Sequence, residues 1–139
     1  GVRVVGVPGA GGVATAADLA RYYQALMANP DGMWDPEALR LATQEILVNL
    51  PDPMLGFAAN RSAGLIIAGD DANFTLRGFG AGCSPRTFGH NGAGGQMSWA
   101  DPDTGLSMGF VTSGIDANFL REARRTISIA SKVADSVSG

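Results

Sequence analysis

The chain has one histidine, one lysine and one cysteine in 139 residues, and each shortage closes off a class of chemistry. A lone Cys83 excludes an internal disulfide and a multi-thiolate metal centre, and a lone His90 excludes the histidine-based metal motifs. Neither a metal nor a cofactor is expected. Lys132 follows Ser128 by four positions and Ser131 by one, so no Ser-x-x-Lys motif is present. A serine nucleophile of the Ser-x-x-Lys kind is therefore not expected in this chain. Cys83, with no histidine near it in sequence, reads as a small half-buried thiol.

Charge is also scarce. Asp, Glu, Lys and Arg make up 17% of the chain, against about 25% in an average soluble domain. The net charge is −3, and no basic cluster exceeds Arg121, Arg124 and Arg125, so nucleic acid is not an expected partner. Apolar runs fall short of the roughly 18 residues of a membrane span, and the N-terminal residues lack the charged-then-apolar order of a signal peptide.

Glycine, by contrast, is abundant at 20 residues. Val2 to Gly12 reads as a β-branched extended arm running into a glycine turn. Gly9, Gly11 and Ala14 match the dinucleotide fingerprint G-x-G-x-x-A, but the following helix leads to Pro30, Gly32 and a second helix rather than to a parallel strand. A P-loop fails because no lysine follows the glycines. Thr15 with Asp18 forms a capping-box pattern, and Leu19, Tyr22 or Tyr23, Leu26 and Met27 keep helical spacing, which predicts a helix over Ala16–Ala28. Asp35-Pro36-Glu37 starts a second helix, with Leu39, Ala42, Ile46 and Leu50 as its buried stripe and Pro51 and Pro53 ending it.

Beyond Met54 the period becomes that of strands and turns. Gly64–Gly69 is a short apolar strand and Gly78–Pro85 a glycine-rich loop. Gln96–Ala100 and Leu106–Thr112 form a hairpin across Asp101-Pro102-Asp103-Thr104-Gly105. Asp116 caps a last helix whose face is Phe119 or Leu120, Ala123, Ile127, Ala130 and Ala134, ending near Val137. The expected fold class is α+β: an antiparallel sheet of three to four strands with flanking helices. It divides into a helical segment (1–53), antiparallel strands (54–115) and a C-terminal helix (116–139). So small a sheet stands alone only marginally, and its outer strand would present unpaired backbone groups that call for a partner.

Phe88-Gly89-His90-Asn91-Gly92-Ala93-Gly94-Gly95-Gln96 is where the sequence looks most like chemistry. It sets the histidine beside four glycines that let backbone N–H groups approach an anion, and it leads into the hairpin. Read on these residues alone, His90 is as well explained by a hydrogen-bonded turn histidine as by a functional one.

The order of Pro8-Gly9-Ala10-Gly11-Gly12 with Thr15-Ala16-Ala17-Asp18-Leu19-Ala20, then His90-Asn91-Gly92-Ala93-Gly94-Gly95, then Trp99-Ala100-Asp101-Pro102-Asp103-Thr104-Gly105-Leu106 resembles the C-terminal portion of the serine β-lactamase-like superfamily. It is most similar to the esterase and class C β-lactamase branch, which includes penicillin-binding-protein-like and mycobacterial lipase-esterases. The resemblance implies an antiparallel sheet flanked by helices beside a mainly helical subdomain. It also implies a serine acylated in Ser-x-x-Lys, a catalytic tyrosine, and Lys-Thr-Gly, His-x-Gly or Trp-x-Gly on the strand edging the site. His90-Asn91-Gly92 takes the place of that third motif. His90 and the Ala93 N–H then become the catalytic groups, with the amide one of two oxyanion donors. Asn91, Gly92, Gly94 and Gly95 become substrate-binding positions that keep the strand edge open.

The first two motifs lie upstream in the family and have no counterpart here, since Tyr22 and Tyr23 fall on the first helix. The resemblance therefore implies a fragment that is inactive alone. Its substrate in the complete enzyme would be a small ester, amide or β-lactam. Its partner would be a missing N-terminal segment, or a second copy forming a homo-oligomer, through the exposed strand Leu106–Thr112. A non-enzymatic module that captures another chain by β-augmentation is the competing expectation.

Overall fold

The computed structural model describes Gly9 and residues 11–137. Most of the extended arm expected over Val2–Gly12 thus lies outside the described residues.

Helix α1 spans Ala16–Ala28, the range the sequence predicts. Its start is set locally: the Thr15 hydroxyl accepts the Asp18 N–H while the Asp18 carboxylate accepts the Thr15 N–H, a reciprocal capping box. Asn29, in the left-handed region at φ 44°, ends it, and its side chain clasps Trp34 through both N–H and C=O.

Helix α2 covers Pro36–Thr43, capped by Asp35, and stops well short of the stripe expected to run to Leu50. The reason is tertiary. Leu47 and Val48 both donate to Arg61 O and Arg61 donates back to Val48 O, so the chain beyond Gln44 pairs in an extended ribbon. The β-branched Ile46 and Val48 suit that conformation, and Ile46 and Leu50 are exposed rather than buried.

Four antiparallel strands follow in sheet order: β1 (Ile66–Ile67), β2 (Phe88–Asn91), β3 (Met97–Asp101) and β4 (Leu106–Phe110). The apolar strand expected over Gly64–Gly69 contracts to β1. A 3₁₀ turn over Phe74–Arg77, which no pattern in the sequence predicts, precedes the Gly78–Pro85 loop. Among the described residues β4 bonds only to β3, and no strand among them pairs with its far side.

The pairs Phe88↔Ala100 and His90↔Ser98 share one face of the sheet, and Asn91↔Met97 and Trp99↔Met108 share the other. The first face packs Phe88, Ala100 and Ile67 under Tyr23 and Leu26 of α1. Close docking of α1 needs the bare backbone of Gly109, where an added Cβ would lie 2.2 Å from Ala16 O. The second face buries Met97, Trp99 and Met108 with Phe79 against Ala130 and Ala134 of helix α3 (Phe119–Asp135). The architecture is a sheet between two helical layers, an α+β fold.

Helix α3 departs from its expected face in two ways. Asn118, not Asp116, supplies the N-cap, accepting the Arg121 N–H, and Asp116 instead accepts the Asn118 N–H. Phe119 and Leu120 point outward, and the buried position of the first turn belongs to Glu122.

The β3–β4 turn is held by one buried carboxylate. Asp101, 2% exposed, accepts the Ser84 N–H and hydroxyl and the Asp103 N–H. Burial pushes its carboxyl upward, but these donors outweigh burial and hold it below its ordinary value. A group depressed in the folded state stabilises it above the unfolded value of about 3.9 and loses that contribution as pH falls through the folded value. Acid melts of the chain should therefore show a loss of stability below about pH 4. Asp101→Asn should flatten that part of the profile and cost about 1–3 kcal/mol at pH 7. An unchanged acid limb in the variant would contradict the assignment.

Candidate active site

Strand β2 ends at Asn91 and the chain reverses through Gly92-Ala93-Gly94-Gly95 before β3 begins at Met97. Gly95 N–H donates to Gly92 O at 3.1 Å, an i to i+3 bond that makes this a β-turn with Ala93 at its second position. Gly92 N–H is used as well, on Gln96 O at 2.7 Å. The remaining two amides, Ala93 and Gly94, have no acceptor among the described residues. Ala93 lies exposed at the tip and Gly94 is half-buried. A solvated N–H with no internal partner, at a strand end, is available to a ligand.

His90 is exposed one register step before the turn, on the α1 side of the sheet. Its Nδ1 lies 2.6 Å from Asn91 O. A carbonyl oxygen only accepts, so this contact requires the proton on Nδ1 and leaves Nε2 of the neutral ring as an open acceptor.

Asn91 projects to the opposite face. A Cβ built on Gly78 would fall 2.2 Å from Asn91 Nδ2 and 2.3 Å from its Oδ1, so the Asn91 amide lies flush on Gly78. Gly78, at φ 99°, caps the 3₁₀ turn that ends at Arg77. Arg77 is buried among backbone carbonyls, donating to Ala58 O and Ala68 O and to both oxygens of Asp71.

The structure thus brings His90, Asn91, Gly92, Ala93 and Gly94 to one strand end but sends them in different directions. His90 and Ala93 are exposed. Asn91 is half-buried against Gly78, and Gly92 and Gly94 lie beside the Gln96 side chain. Gly95 is buried, and a Cβ there would meet Arg125 Nη2 at 2.8 Å and Glu122 Oε1 at 3.0 Å. Sequence reasoning missed Gln96, Gly78, Glu122 and Arg125 as neighbours of the turn. The one signal that pointed toward them was the excess of glycine, which marks close approach as well as open backbone.

Two other groups are set aside by their surroundings. Burial, with Tyr22 adding to it, raises the Tyr23 hydroxyl to about 12, and the ring stacks on Phe88 6.3 Å away. It is core, not a proton acceptor. Burial likewise pushes the Cys83 thiol up to about 11, so it stays a weakly nucleophilic thiol at neutral pH. A separate cavity of about 460 Å³, lined by Gln44, Ile67, Asp70, Pro85, Arg86 and Pro102 among others, opens beside β1 and the β3–β4 turn, at the far end of β2 from Ala93.

The family model for Beta-lactamase matches residues 1–130. The chain belongs to the β-lactamase family. Its fold is also that of a β-lactamase from Mycobacterium bovis known from a crystal structure, with a TM-score of 0.70 at 22% sequence identity. That alignment covers 88% of this chain and 44% of the other, so the chain spans less than half the length of the β-lactamase it superposes on. No curated protein matches. The fold is that of a β-lactamase-like sheet with its flanking helices.

Proposed function

We propose that this chain supplies the third-motif half of a serine acyl-transfer site, with His90-Asn91-Gly92 edging the pocket and the Ala93 N–H as one of two oxyanion donors. The observation that carries the reading is the Ala93 amide, exposed at the turn after β2 with no acceptor among the described residues. The nucleophile comes from a segment bearing Ser-x-x-Lys, which this sequence does not contain. In the assembled site the serine oxygen bonds to the substrate carbonyl carbon. The C=O electron pair moves onto oxygen, and the Ala93 N–H stabilises that charge as it develops. His90 Nε2, the open acceptor of its ring, binds substrate or takes part in moving the proton. Collapse of the tetrahedral intermediate expels the alcohol or amine, and water then releases the acid from the serine.

The substrate class is a small ester or amide acyl donor, with β-lactam or D-alanyl peptide hydrolysis as variants of the same mechanism. The far side of β4, which no described strand pairs, and the exposed Ile115, Phe119 and Leu120 support assembly with the serine-bearing segment. The same features favour the second reading, a module that only pairs strands with another chain.

Hydrolysis of p-nitrophenyl acetate separates the two. The 139-residue chain alone should be inactive, and mixing it with the polypeptide bearing Ser-x-x-Lys should restore turnover with a burst of nitrophenol. Inactivity in the mixture, with complex formation intact, would favour the module.

A further inference from the structure

A turn built from three glycines and an alanine has little intrinsic reason to hold one shape, because glycine leaves the most backbone freedom to be lost on ordering. An oxyanion donor is effective only when it is held in place before the reaction. Two independent contacts converge on this turn.

The Gln96 side chain folds back inside it: a Cβ on Gly94 would come within 2.6 Å of Gln96 Oε1, and one on Gly92 within 3.1 Å. From there Gln96 Nε2 donates to Thr112 O at 3.2 Å, which ties the turn to the segment leaving β4. On the other side Gly95, at φ 84°, is covered by the Glu122–Arg125 pair at the start of α3, bonded at 2.7 Å. That pair is itself fixed. Glu122 also accepts the Asp116 N–H at 2.9 Å, and the Arg125 guanidinium sits 6.0 Å from the centre of the Phe110 ring. Glu122 is 7% exposed, and a carboxylate so buried is held there by its pairing with Arg125.

We propose that Gln96 and the Glu122–Arg125 pair are positioning residues that clamp the Gly92–Gly95 turn from inside and from α3, and so hold the Ala93 amide outward. The proposal rests on the reading of that amide as an anion donor. It gives Gly92, Gly94 and Gly95 a different purpose from direct substrate contact: they make room for the clamp.

Backbone ¹⁵N relaxation on the 139-residue chain tests it without requiring turnover. Ala93 in the unaltered chain should have an order parameter near that of rigid backbone, about 0.85. Gln96→Ala should lower it below about 0.6, while β3 and β4 keep their values. Gly94→Ala, which pushes the Gln96 amide off Thr112 O, should reproduce the loss, and the double variant should add nothing further because both act through one contact. Glu122→Ala should loosen the same turn from the α3 side. Should that variant fail to fold, the Gln96→Ala and Gly94→Ala substitutions still decide. An Ala93 that stays rigid in Gln96→Ala and Gly94→Ala overturns the clamp, as does a loss of order spread evenly over the sheet. Turnover is read separately on Ala93→Pro, so a failed clamp and a failed donor give different results.

Discussion

Ala93→Pro is expected to reduce acyl-transfer turnover in the assembled enzyme by about 10²–10³-fold while leaving the fold intact, the loss typical of removing one oxyanion donor. The substitution is well suited to the site. Ala93 occupies the second position of a β-turn, where the fixed φ of proline is favoured, and its own φ is not in the left-handed region. The residue before it is Gly92, which tolerates the steric demand of a following proline better than any other. Above all, the N–H that proline deletes has no acceptor among the described residues, so no internal hydrogen bond is lost. The unfolding free energy should stay within about 0.5 kcal/mol of the parent, as for a surface change away from special features. The rate should fall through kcat, with KM little moved, because the donor acts on charge that exists only in the transition state. Undiminished turnover of a folded Ala93→Pro would remove the amide from the mechanism. A matching fall in both stability and rate would show a structural part for the residue instead.

What the sequence disclosed was what short-range chemistry decides. The limits of α1 follow from a capping box three residues apart and an asparagine stop, and the β3–β4 hairpin from a proline-aspartate-glycine turn between two alternating runs. What it concealed was decided by distant partners. Helix α2 ends early because Arg61, far along the chain, pairs with Leu47 and Val48. The face of α3 is turned by Glu122, a charged residue whose burial becomes intelligible only beside Arg125 and the Asp116 amide. At the site the pattern His90 to Gly95 was visible as a glycine-lined histidine motif, and its place at a strand end follows from that. The division of labour within it was not. Whether a glycine there opens the backbone to a ligand or yields space to Gln96, Glu122 or Arg125 depends on side chains that approach from the residue before β3 and from α3, and no spacing rule encodes them.

Arg77→Met is expected to destabilise the chain by about 2–3 kcal/mol, and its effect should reach the end of β2 at Asn91. Methionine fills much of the space of the arginine stem, so the cost is chiefly that of the lost donors rather than of a cavity. Arg77 donates to Ala58 O at 2.9 Å and to Ala68 O at 2.8 Å; Ala68 O keeps a second donor in Asn60 Nδ2 at 3.3 Å, whereas Ala58 O has no replacement among the described residues. The ion pair with Asp71 adds less, because that carboxylate is 40% exposed and water can take over its solvation. The same arginine ends the 3₁₀ turn capped by Gly78, and the Asn91 amide lies on Gly78. Urea unfolding should therefore show the loss of stability. Hydrogen exchange on the folded variant should quicken at His90 and Asn91 more than at Met108, which lies across the sheet. Asp71 gives an independent reading. Its bond to Arg77 is the main cause of its lowered carboxyl value, so in the variant its titration should move up toward the ordinary value of about 3.9. A variant with the Asp71 titration restored but with unaltered exchange at Asn91 would separate the arginine from the strand end and confine its effect to the loop it closes.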